Sequence, residues 1–136
     1  MSGGLTAVPI PGGITPVLLF FLFLNAAALA VGQLLFKSSA IGVGGLPFPA
    51  MVAKIAFVPS FYAACLLYAA ATVLWVWILT KLPLSTAYPF VGLSFVMVAL
   101  AGWCFLGETP SIRGWIGVLM VAAGVALVAS SAGAEF

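Results

Sequence analysis

Asn25, Leu29, Gln33 and Lys37 stand four residues apart in the stretch NAAALAVGQLLFKSS. On a helix that spacing stacks them into one row about 18 Å long, polar except at Leu29. The row offers one ammonium and two carboxamides, with no acid among them. A charge near hydrocarbon is costly, so a lysine that bears the cost marks a candidate functional site whose partner lies elsewhere in the chain. Gly32 sits beside the row and admits a neighbouring helix or a ligand close to the backbone. A plainer reading stays open: Lys37 is near the last turn and could snorkel to the headgroup zone as an anchor.

A second polar group lies in TAYPFVGLSF, where Tyr88 precedes Pro89 and is followed by Gly92 and Ser94. Tyr88 can offer a hydroxyl to a head group, Ser94 is a further candidate, and Pro89 removes a backbone donor and bends the helix that holds them. An interfacial tyrosine beside an ordinary kink explains the same residues. Glu108 and Arg113 flank the next turn and are expected to form an interfacial pair of little energetic consequence.

Other chemistries are disfavoured by what the chain contains. Cys65 and Cys104 fall inside apolar runs without CxxC spacing, and there is no histidine to complete a metal site, so both read as core packing. Neither a nucleophile with its base nor a phosphate-cradling glycine loop is present. The expectation is a protein that is not an enzyme, with no metal and no cofactor. The basic residues Lys37, Lys54, Lys81 and Arg113 are dispersed, which argues against nucleic acid as a partner.

The elements that position these residues are membrane spans. Of 136 residues, 65% are hydrophobic and 4% charged, far from the roughly one-quarter charged composition of soluble domains. A span needs about 20 apolar residues, so this length holds four spans and short loops. Hydropathy and breakers place helices at about 15–39, 57–80, 84–106 and 112–131, forming a single four-helix transmembrane domain over 1–136. AIGVGGLPFPA is a Gly/Pro-rich connection that cannot continue a helix, and Lys54 follows it at the membrane surface. TKLPLST makes the second and third helices a tight antiparallel hairpin. Thr109 and Pro110 read as N-cap and first-turn proline of the fourth helix.

Trp75, Trp77 and Trp115 suit interface belts, and the lysine and arginine distribution gives no clear orientation. FFLFLNAAALA imitates a signal-peptidase site after Ala30. No basic residue precedes it and the apolar run continues, so the first helix is expected to be retained. The closing GAEF carries no weight. In the fourth helix Gly117, Ala123 and Gly124 put small residues along one face. Small faces let membrane helices approach closely, and this one is expected to meet another subunit, the plainer reading being that the glycines pack only within the monomer.

VGQLLFKSSA, TAYPFVGLSFVMVALAGWCFLGETPSIRGW and GVLMVAAGV together resemble the four-helix small multidrug resistance fold of the drug/metabolite transporter superfamily. The likeness covers about residues 22–130. Within that fold they look most like the subunits of the flippase for aminoarabinose linked to undecaprenyl phosphate, whose Gly-Gln and following lysine match Gly32, Gln33 and Lys37. The drug exporters' helix-1 carboxylate would fall on Leu29, which cannot titrate, so their proton-for-cation exchange lacks its central residue here.

The resemblance implies an all-α, multi-pass protein of the bacterial inner membrane that moves a polyprenyl-phosphate-linked sugar. It further implies a homodimer, or a heterodimer with a related four-helix subunit, among membrane lipids. Lys37 and Gln33, with Asn25, Tyr88 and Ser94, are then the expected substrate-binding residues. An ammonium flanked by amides gives charge-assisted hydrogen bonds to a phosphate that must leave water, while the polyprenyl tail stays in the bilayer. Two alternatives stay open: an exporter of small cations or metabolites, and an accessory subunit of a membrane glycosyltransferase.

Overall fold

In the computed structural model, which describes residues 13–134, the chain forms α1 (Pro16–Gly42), α2 (Phe48–Ile55), α3 (Pro59–Leu79), α4 (Leu84–Ala87), a 3-10 turn (Tyr88–Phe90), α5 (Val91–Leu106) and α6 (Ile112–Ala134). No strand occurs among the described residues. Four stretches are long and apolar enough to cross a membrane: Pro16–Gly42, Pro59–Leu79, Leu84–Leu106 and Ile112–Ser131. Helices are the solution because hydrocarbon offers backbone N–H and C=O groups no partner outside the segment. The third span accommodates Pro89, which lacks an N–H, by narrowing to the 3-10 turn between α4 and α5.

Each span starts on identifiable chemistry. Thr15 caps α1 by accepting from the Leu18 N–H at 3.3 Å, and Pro16 takes the first turn, where no amide donor is needed. The start of α6 differs from expectation. The cap is Ser111, whose Oγ accepts from the Gly114 N–H at 3.2 Å, so Thr109 and Pro110 lie in the preceding loop. The connection after α1 also differs, since α2 grows out of it. Pro47 stands at its N-cap and Pro49 in its first turn, positions where proline opens a helix that it could not continue.

α1 is central, with α3 on one flank and α5 on the other, while α6 packs on α5 and the 3-10 turn. Its buried positions are Leu22, Asn25, Ala26, Ala30, Gly32 and Ser39, mostly small, and α3 answers with Ala64 and Ala71. Small residues let the backbones approach, which supplies the packing that drives association in lipid. At one end Leu22, Ile78, Leu82, Ala87 and Phe90 form the core, with Val125 and Ala129 of α6 against it. The start of α1, the end of α3, the start of the third span and the end of α6 therefore meet there. At the other end the Ser39 hydroxyl bonds the Leu35 carbonyl at 2.9 Å and meets Ser60 Oγ at 2.8 Å, clamping α1 to α3.

One packing expectation is corrected. Cys65 and Cys104 are exposed on the bundle surface, because the buried faces of α3 and α5 are lined by smaller residues such as Ala64 and Gly102. Trp75 is half-buried against Tyr88, their rings edge to face at 6.5 Å.

Candidate functional site

The row on α1 divides into a lower and an upper site. Toward the end of α1, Lys37 Nζ lies 3.0 Å from Glu108 Oε1. The acid that the lysine lacks on its own helix comes from the loop after α5. Gly107 ends α5 in the left-handed conformation, with φ of 66°, a geometry suited to a residue without Cβ. The N–H groups of Gly107 and Glu108 both donate to the Gly102 carbonyl, which folds the loop back over the helix end. Gly102 completes the fit: a Cβ there would stand 3.0 Å from Glu108 Oε2.

This arrangement replaces the expected Glu108–Arg113 pair; Lys37–Glu108 is the salt bridge found among the described residues. The physical reason is geometric. The reversal at Gly107 turns Glu108 toward α1 and away from the start of α6. Both side chains are about half exposed, 50% and 52%, so the charges remain open to an incoming ion.

One turn deeper, Gln33 Nε2 donates to the Tyr68 hydroxyl of α3. The Tyr68 ring reaches that position because Gly32 has no side chain; a Cβ at Gly32 would overlap the ring. The same ring stacks edge to face on Phe36 at 5.3 Å. Tyr68 was not singled out from the sequence, where it is one aromatic in an apolar run. The signal that could have found it is Gly32, a backbone gap beside a polar row that some neighbour must fill.

Higher on α1, Asn25 is 3% exposed and its Oδ1 has no hydrogen-bond partner. It borders a cavity of about 180 Å³ shared by α1, α3 and the third span, with Leu29, Thr72, Trp75 and Tyr88 among its walls. The cavity brings Asn25 and Tyr88 together. Ser94 stays apart, its hydroxyl donating to the Val91 carbonyl of its own helix at 2.6 Å. No cluster of metal-ligating side chains occurs among the described residues.

The small-residue face of α6 has a clear structural character. Val118 is buried, and Val121 and Val125 pack against Gly92 of α5. Gly117 and Gly124 face open space, with nothing within 4 Å of a Cβ built on either, and Ala123 is exposed.

Chemically, the lower site combines a cation and an anion that join the end of α1 to the loop after α5, with the Gln33 amide one turn deeper against α3. The upper site is a small aromatic and apolar cavity with hydrogen-bond acceptors in its wall. A model of the EamA-like transporter family matches residues 15–130. The chain is 41% identical over 63 residues to proteins named probable 4-amino-4-deoxy-L-arabinose-phosphoundecaprenol flippase subunit ArnE in Salmonella paratyphi B, Salmonella newport and Salmonella typhimurium. That match takes in 46% of this chain and spans 57% of the length of each of these relatives. No solved structure gives a significant match.

Proposed function

The chain belongs to the EamA-like transporter family, and from that membership we propose that it is a non-enzymatic flippase subunit that carries a polyprenyl-phosphate-linked sugar across the bacterial inner membrane. The observation that carries the reading is the polar row of α1, in which a half-exposed lysine has a half-exposed acid from another helix's end as its counter-ion and Leu29 stands at mid-span. A bundle exchanging protons for drug cations needs a carboxylate at that depth. A bundle carrying a lipid phosphate needs an ammonium at the groove mouth, where charge-assisted hydrogen bonds replace water. The relatives' name, with its sugar on a phosphoundecaprenol, supports the same choice.

The substrate then divides along its own polarity. The phosphate meets Lys37 and Gln33, the polyprenyl chain lies in lipid beside the half-open bundle, and the sugar head enters the groove. Binding of the phosphate exchanges one anion on Lys37 for another, as Glu108 gives way. Ser94 is a weaker candidate for substrate contact, since its hydroxyl already bonds its own helix.

The working unit is a dimer, with an identical or a related four-helix chain. A cavity of about 180 Å³ is smaller than the roughly 300–1,000 Å³ of sites that enclose whole ligands, so one chain holds only part of a phosphorylated sugar. Gly117, Ala123 and Gly124 give α6 a surface on which a second helix could pack closely.

The test is accessibility of the lipid-linked sugar on the far leaflet, with expression matched by blotting. Lys37→Arg should keep part of the transport and Lys37→Met should lose it. Wild-type transport by Lys37→Met would reduce the lysine to a membrane anchor and end the reading.

A further inference from the structure

We propose that the cavity beside Asn25 is a subsite for an uncharged hydroxyl-bearing ring, and that it discriminates against ammonium groups. The inference rests on the flippase reading only for the identity of the natural ligand; the chemistry of the cavity stands on its own walls.

Asn25 Oδ1 is sealed from solvent and unpaired, on a residue that is 3% exposed. An orphaned buried acceptor costs about 1–3 kcal/mol, so its presence in a tightly packed stretch of α1 calls for a donor that arrives from outside. The terminal torsion of asparagine is soft and two-fold, which lets the oxygen turn toward the cavity that the residue borders. Thr72 adds to the demand. Its hydroxyl donates to the Tyr68 carbonyl at 2.8 Å, which leaves its lone pairs to accept. The cavity wall therefore sets acceptors at Asn25 and Thr72 beside the donor groups of Trp75 and Tyr88, a mixture that suits a hydroxyl, which both donates and accepts.

The charge of the donor is decided by what is missing. Leu29 lines the cavity, and no carboxylate stands among the side chains that form its wall. An ammonium would lose its water for a cation–π contact with Trp75 or Tyr88 worth about 0.5–2 kcal/mol. Desolvating a charge without a counter-ion costs several kcal/mol, so the cation loses. A neutral ring suffers no such penalty. Its hydroxyls reach Asn25 and Thr72 while its C–H faces lie on the aromatic and aliphatic walls. A sugar enters this subsite by a hydroxyl edge, and any ammonium that it carries stays outside.

Binding can be measured by equilibrium dialysis of radiolabelled hexyl β-glucoside and hexylammonium against the full chain in zwitterionic nanodiscs, with empty nanodiscs as the blank. The glucoside should bind saturably and at least about tenfold more tightly than hexylammonium. Asn25→Leu should weaken glucoside binding about tenfold while raising the melting temperature, because it removes an unsatisfied polar group. Asn25→Asp should reverse the preference toward hexylammonium.

Three results would overturn the proposal: no glucoside binding above the blank, equal affinity for the two compounds, or unchanged glucoside binding by folded Asn25→Leu. Lys54→Met, on α2 and away from both sites, should leave glucoside binding intact, and because the glucoside carries no phosphate its binding is read independently of Lys37. Loss of the transport reading through Lys37 would thus be seen separately from failure of this subsite.

Discussion

Lys37 of α1 and Glu108 of the loop after α5 lie 3.0 Å apart, Nζ to Oε1, joining the ends of two neighbouring helices. On the proposed function the pair makes the anion site self-occupied, because the carboxylate takes the place proposed for a phosphate. With both side chains half exposed, the pair contributes less than about 1 kcal/mol to stability, so its larger consequence is for access to the lysine.

Releasing the lysine should strengthen capture of an anionic lipid. Glu108→Gln removes the competing charge and keeps the shape, so more phospholipid or polyprenyl phosphate should copurify, several-fold by mass spectrometry of the detergent-extracted protein. The melting temperature should move little. Unchanged lipid retention would show that Glu108 does not compete for Lys37. Lys37→Glu should transport worst of the lysine variants, since it opposes both the phosphate and Glu108. Adding Glu108→Lys to it should recover stability.

Gln33 and Tyr68 should behave as one unit. Gln33→Ala and Tyr68→Phe each remove the same hydrogen bond, worth about 1 kcal/mol, and the double variant should cost little more than either single change. Gly32→Ala should cost more than Tyr68→Phe, because its methyl drives the whole ring away from α1. Thermal unfolding of the three variants measures the ordering, and full additivity of the first two would contradict it.

The apolar residue at mid-span predicts the absence of a drug phenotype. Expression of the chain should give no resistance to quaternary ammonium compounds, and proteoliposomes should show no proton-driven uptake of such a dye. Uptake abolished by disrupting α1 would favour the cation-exporter alternative. Leu29→Glu places a carboxylate in the cavity wall and should create measurable, weak dye binding.

The face of α6 gives a prediction about assembly. Gly117→Leu and Gly124→Leu add side chains into space that is open within one chain, so the fold should survive. Cross-linking in native membranes should show dimers for the unmodified protein and their loss in either variant. Monomers alone from the unmodified protein would remove the dimer from the proposed function.

Much of the architecture was legible along the chain because it depends on local quantities. The length of the apolar runs, Pro16 and Thr15 at the first helix and the prolines at 83 and 89 set the spans within a few residues. The row from Asn25 to Lys37 needed only the helical repeat. Local rules misplaced what depends on competition between neighbours. Ser111 caps α6 in preference to Thr109 because its hydroxyl reaches the Gly114 N–H, and the prolines before α2 start a helix instead of merely ending one.

What the tertiary structure alone decided is which distant groups meet. No periodicity indicates that Glu108 turns back toward Lys37; this follows from α1 and α5 running side by side in the same direction and from the reversal at Gly107. Nor does it bring Tyr68, 35 residues away, to Gln33, or leave Asn25 Oδ1 without a donor beside a cavity. Backbone hydrogen bonds and hydropathy act within a few residues and so can be read from sequence. Ion pairs, orphaned acceptors and cavities arise between helices, and in lipid their geometry is set by the packing of small residues that hydropathy treats as interchangeable.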